Sequence, residues 1–135
     1  METTILHFSE EVRFTDDEFY EFCQQSSELK FERNVNGNLL IVPLSGGKQG
    51  KINSEVNLEI VIWNRKSKYG IVFDSSTAFR LPDTSVRSPD VAVVETSRWN
   101  NLSEMEKEKF VPLCPDFVIE VLSPSDRLKD AQQKM

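Results

Sequence analysis

Apolar and polar positions alternate along the chain in blocks that predict a mixture of helices and short strands. Thr15 and Glu18 form a capping box, and Phe14 and Phe19 hold the two staple positions, so a helix is expected to open at Thr15. Phe19, Phe22 and Cys23 give that helix an apolar face, and it ends near Gln25. Residues 29–33 and 39–42 are short β-like runs flanking Asn34-Val35-Asn36-Gly37, whose Asn-Gly pair predicts a hairpin. Pro43 and Ser45-Gly46-Gly47 follow as a loop. Ile52, Val56, Ile60 and Trp63 then recur at helical spacing, with Leu58 and Ile62 widening the stripe, so a helix over 48–66 with a core-facing stripe is expected. Gly70 follows the basic end of that helix, as a C-cap would. Residues 71–73, 78–80 and 91–94 read as successive strands, with Pro82-Asp83-Thr84 as a turn between the last two. Ser103 and Glu106 form a second capping box within 97–110, a segment that also holds Trp99. Residues 1–13 carry few signals and are expected to lie along the surface. The order predicts one domain over residues 1–135, of α/β or α+β class, with a mixed sheet flanked by helices.

The last apolar run, residues 117–122, is short, β-branched and bracketed by Pro115 and Pro124, so it reads as a buried strand. Glu120 interrupts it. A charge in such a strand costs several kcal/mol unless it is paired, protonated or bound to a metal. A partner arginine or lysine, or a solvent-facing side of the strand, would equally explain it. By the two-residue alternation Asp116, Val118 and Glu120 share one face, which leaves Phe117, Ile119 and Val121 to the core.

Composition narrows the chemistry. The chain has 135 residues, 39% of them hydrophobic and nine of them Phe, enough for a core. No apolar run approaches the length of a membrane span, and residues 1–14 lack the pattern of a signal peptide. Two cysteines far apart and one histidine make a zinc site improbable. A cytoplasmic protein with two incidental thiols is expected. The net charge of −6 argues against a broad basic groove that holds duplex by neutralising phosphates alone. It is compatible with a site built of carboxylates. Ser45-Gly46-Gly47 has neither the spacing nor the Lys-Ser/Thr ending of a phosphate loop.

Carboxylates with a shared hard cation are the chemistry that fits. Ser88-Pro89-Asp90 puts a carboxylate at the mouth of the 91–94 strand, although Pro-Asp is by itself a common turn dipeptide. Asp90 and Glu120 on adjacent strands could hold Mg²⁺, which demands oxygen ligands and keeps several waters. Their carboxylates would then lie within about 6 Å of each other. A cation is also wanted nearby. Leu122, two residues after Glu120, does not supply it. Glu120 is about 10 Å from the strand end. A helix folding back from Ser125 would bring Lys134, about 13 Å along it, level with Glu120, and Lys129 only half as far. A solvated terminal lysine is the plainer reading. Glu32, in the first hairpin strand, reads as an exposed carboxylate near Lys30 or Arg33.

Taken together, Glu32, Gly37, Ser45-Gly46-Gly47, Ser88-Pro89-Asp90-Val91-Ala92-Val93, the string Pro115-Asp116-Phe117-Val118-Ile119-Glu120-Val121-Leu122-Ser123-Pro124-Ser125, and Lys134 resemble the "putative restriction endonuclease" family abundant in cyanobacteria, a branch of the PD-(D/E)XK nuclease superfamily. The resemblance covers about residues 12–135. It implies a restriction-endonuclease-like fold and hydrolysis of DNA phosphodiesters with Mg²⁺ or Mn²⁺. It also implies that Asp90 and Glu120 ligate the metal, that Lys134 is a lysine displaced from strand to helix, and that Glu32 is an accessory acid. Two features depart from the family pattern. The histidine usual near the start of the long helix is replaced by Lys48-Gln49-Gly50-Lys51, and members continue some fifty residues past the lysine. A truncated copy would leave a sheet edge open, through which the chain could self-associate as a homodimer. The alternative function is a catalytically inactive nuclease-like domain acting as a binding or interaction module.

Overall fold

The computed structural model describes residues 3–122 together with Gln132. Lys129 and Lys134 lie outside the described residues. Helix α1 (Asp16–Gln25) starts as its capping box requires: the Thr15 hydroxyl accepts the Glu18 N–H, and the Glu18 carboxylate accepts the Thr15 N–H. The Thr15 backbone N–H first, and then the Thr15 side chain, hold the Glu18 carboxyl below its ordinary range. Strands β2 (Lys30–Arg33) and β3 (Leu39–Val42) pair antiparallel through the Asn36-Gly37 turn, where Gly37 takes the left-handed φ of 83° that the turn needs.

Two segments form strands that the hydrophobic pattern did not indicate. Residues 4–6 make β1 (Thr4–Leu6), which pairs with β3. The stretch between the 78–80 and 91–94 runs contains more than a turn. β5 (Phe79–Arg80) and β6 (Val86–Arg87) form a tight hairpin around Pro82-Asp83-Thr84, closed by Leu81 N–H to the Ser85 carbonyl at 2.8 Å. The buried Arg33 reaches that turn and donates from Nη2 to the Thr84 carbonyl at 2.8 Å. These strands make one antiparallel sheet in the order β1-β3-β2-β6-β5.

The second sheet, β4-β7-β8, is also antiparallel, so the α+β architecture is built on two sheets. β4 (Gly70–Phe73) pairs with β7 (Val91–Glu95), and β7 pairs with β8 (Phe117–Ile119). Two short helices, α3 (Thr96–Asn100) and α4 (Glu104–Glu108), lie between β7 and β8, the second opened by the Ser103–Glu106 box. The sheets share a core. Phe79 of the first packs with Ala92, Val94, Val111 and Leu113, against which Val118 also lies. A second cluster joins Phe19, Phe31, Leu39, Ala78 and Val86. Truncating a side chain as buried as Phe19 typically costs about 3–5 kcal/mol.

Three expectations are corrected by the packing. Helix α2 (Gly47–Ser67) buries no residue fully, and Ile52, Leu58 and Trp63 of its apolar stripe are exposed. The stripe marks a shared face correctly, but only part of it is covered. Gly70 is not the C-cap of α2. Lys68 takes the left-handed conformation, with φ 54°, and its N–H bonds the Asn64 carbonyl. Gly70 is instead a strand residue in close contact, since a Cβ there would sit 1.8 Å from the Val94 carbonyl oxygen. Finally, the face of β8 that packs on the core carries Val118, while Phe117 is 48% exposed.

Candidate active site

The β7–β8 register decides the relation between the two carboxylates that the sequence singled out. Val91 pairs with Ile119 and Ala92 with Val118. Continued one step beyond its last pair, that register would set Asp90 opposite Glu120. Residues directly opposite in an antiparallel pair share a face and have Cβ atoms about 4.5–5.5 Å apart. On that continuation Asp90 would share a side with Ala92, and Glu120 with Val118.

β8 ends at Ile119 and does not extend to Leu122. The register would set Pro89 opposite Val121, and a proline has no N–H to give to a ladder. Side chains take over the Val121 backbone instead. Its N–H donates to Asp90 Oδ2 at 2.6 Å, and its carbonyl accepts from Gln49 Nε2, in the first turn of α2, at 3.0 Å. Asp90 is thereby tied to the residue next to Glu120. Glu120 itself is half-buried and has interactions of its own.

Glu32 is not an exposed strand carboxylate. It is 2% exposed, its Oε2 accepts the Ser88 N–H at 2.7 Å, and its Oε1 lies 3.8 Å from Arg87 Nη1. Burial of a carboxylate is tolerated when it is paired and hydrogen-bonded, as here. Lys30, two residues earlier on β2, directs Nζ to the Ser88 carbonyl at 3.5 Å. Glu32 thus reaches the Ser88-Pro89-Asp90 corner from β2, the strand paired with β6. The parts that sequence reasoning did not find are these backbone holds by Lys30, Glu32 and Gln49. Their only local signal is a charged pair at strand spacing, which does not name its distant partner.

Asp116 is bound into the opposite end of β8. Its carboxylate accepts the Glu95 N–H at 2.8 Å and pairs with Arg98 at 3.0 Å. A small cleft of about 30 Å³ between α1 and the first sheet, lined by Asp16, Tyr20, Arg33, Arg80 and Lys109, contains none of the candidate residues. Within it Asp16 is bonded to Arg33 and lies 3.4 Å from Arg80.

Carboxylate oxygens such as those of Asp90 and Glu120 are the donor type that Mg²⁺ or Mn²⁺ takes. Such ions are held by one or two carboxylates and complete their shell with water and substrate oxygens. Asp90 directs Oδ2 to the Val121 N–H. No group of three or more His, Cys, Asp or Glu side chains is gathered around one point among the described residues, so a closed cage of protein ligands is not formed there.

The fold is that of a nuclease-like α+β domain. It superposes with a TM-score of 0.63 on the crystal structure of a "putative nuclease belonging to DUF820" from Anabaena variabilis ATCC 29413, with 22% sequence identity over 90% of this chain. The chain spans 65% of the length of that protein. The sequence matches the model of the Uma2 family, "putative restriction endonuclease", over residues 16–135, and the chain belongs to that family. A comparison with curated proteins gives no match. No helix among the described residues is long and apolar enough to cross a membrane.

Proposed function

We propose that this chain is a divalent-metal-dependent endonuclease that hydrolyses DNA phosphodiester bonds. The observation that supports the reading is the bond from the Val121 N–H to Asp90 Oδ2 at 2.6 Å, which ties Asp90 to the residue next to Glu120. Family membership supports the nuclease class. Asp90 and Glu120 would hold Mg²⁺ or Mn²⁺. A cation bound there supplies Lewis-acid stabilisation of phosphate charge and a water of lowered pKa. The Val121 N–H restricts Asp90 to one orientation, which reduces the reorganisation needed when substrate arrives. Lys134 is proposed as the cation that orients the attacking water, with Lys129 the alternative. Glu32 completes the site as its accessory acid. A cytoplasmic setting suits the two free cysteines. A homodimer is the proposed assembly.

Nicking of supercoiled plasmid in Mg²⁺ or Mn²⁺ tests the reading. The wild-type chain is expected to nick, and Asp90→Ala and Glu120→Ala to lose the activity. Lys134→Ala should slow cleavage by about 10²- to 10³-fold, the usual effect of losing one preorganised charge-stabilising group. Nicking that survives both carboxylate substitutions would overturn the assignment. Metal binding without nicking in the wild-type chain would favour the non-catalytic interaction module.

A further inference from the structure

The Ser88 backbone, which directly follows β6, is held at its N–H and its carbonyl by two side chains of β2, the strand paired with β6. Lys30 and Glu32 are two residues apart on β2 and so lie on one face. Glu32 Oε2 takes the Ser88 N–H at 2.7 Å, and Lys30 Nζ approaches the Ser88 carbonyl at 3.5 Å. Arg87 lies 3.8 Å from the second oxygen of Glu32 and balances its charge. Ser88 is 4% exposed and Pro89 is buried, so neither has water as a substitute partner.

A single residue separates this hold from Asp90, and it is a proline. Its ring fixes φ near −65°. Fixing the Ser88 peptide therefore leaves few soft torsions before the Asp90 side chain. From there the carboxylate meets the Val121 N–H beside Glu120. The chain of contacts runs from Glu32 through Ser88 and Pro89 to Asp90.

We propose that Glu32 is a positioning residue: by accepting the Ser88 N–H it sets the Ser88-Pro89-Asp90 corner so that Asp90 meets the Val121 N–H beside Glu120. This rests on the reading that Asp90 and Glu120 hold a divalent cation, and it specifies how the accessory acid works. What matters in Glu32 is an acceptor oxygen at the right reach. Its negative charge is matched by Arg87 and is not directed at the cation.

Two conservative substitutions separate reach from charge. Glu32→Gln keeps the length and an acceptor oxygen but removes the charge. Glu32→Asp keeps the charge but withdraws it by one methylene from the Ser88 N–H. Calorimetric titration with Mn²⁺ is expected to show Glu32→Gln within a few-fold of wild type. Glu32→Asp should be weaker by about 10- to 100-fold, the range found when a partner that orients a ligand is lost. The reverse order would overturn the proposal, because it would mean that the charge acts on the cation directly. Equal affinity in all three proteins would overturn it as well. Hydrogen exchange at the Ser88 amide, measured without metal, gives an independent reading. Protection in wild type and Glu32→Gln, with faster exchange in Glu32→Asp, is expected. Unchanged protection in Glu32→Asp would refute the positioning role. If wild type binds no Mn²⁺, the metal reading fails, and the exchange result still decides whether Glu32 holds the corner.

Discussion

Asp90 carries two burdens that substitution can separate. Its Oδ2 accepts the Val121 N–H at 2.6 Å at a half-buried position, and the same carboxylate is a proposed cation ligand. Asp90→Ala removes the acceptor and leaves the Val121 N–H without a partner where β8 has already ended. Hydrogen bonds to charged groups contribute about 1.5–3 kcal/mol, and partial exposure places this one near 2 kcal/mol. Asp90→Asn can present its amide oxygen to the same N–H and should cost less than about 1 kcal/mol. With an unfolding entropy of about 2.1 cal/mol/K per residue, a chain of 135 residues should melt about 7 °C lower as Asp90→Ala and at most about 3–4 °C lower as Asp90→Asn. Both variants should lose Mn²⁺ binding, since neither retains the charged oxygen. Thermal melts in metal-free buffer, paired with Mn²⁺ titration, read the two effects separately. Equal melting temperatures for Ala and Asn would show that the Val121 bond contributes nothing to the fold. Retained Mn²⁺ affinity in Asp90→Asn would show that the aspartate is structural only.

Two further outcomes follow from the packing. Gly70→Ala places a methyl 1.8 Å from the Val94 carbonyl oxygen and must push β4 from β7, which also strains the two Asn64 side-chain bonds to the Gly70 backbone; a loss of about 3 kcal/mol is expected by urea unfolding, and a loss below about 1 kcal/mol would mean that the strands part easily. Burial pushes the Cys23 thiol up to about 11, only partly offset by Arg33, so Cys23 stays protonated up to alkaline pH. Exposed Cys114 should therefore be the one thiol that reacts readily with a thiol reagent near pH 8, and Cys23 should react only as the pH nears 11 or the chain unfolds. Equal rates for both thiols at pH 8 in the folded protein would contradict this.

Short-range features of the fold are written into neighbouring residues. The capping boxes at Thr15–Glu18 and Ser103–Glu106 and the Asn36-Gly37 turn involve partners within a few positions, so the sequence alone determined them. It also singled out Asp90 and Glu120, because a charge at the mouth or in the middle of an apolar run needs an explanation. β1 and β6 were not legible. β6 has two residues and β1 three, too few to display a period; β1 exists through pairing with the distant β3, and β6 through its hairpin with β5 and one pair with the distant β2. Periodicity showed that Ile52, Val56 and Trp63 share a face, and that Phe117 and Val118 lie on opposite faces. It could not say which of those faces would be covered, because that depends on what packs there. The fate of Glu32 is the clearest case. Nothing within its own strand distinguishes an exposed carboxylate from a buried one. Its burial follows from the antiparallel pairing of β2 with β6, which brings the Ser88 N–H within 2.7 Å of a side chain 56 positions earlier. Only the tertiary structure decides such a contact, since a hydrogen bond acts at contact distance and the chain records no distance across space.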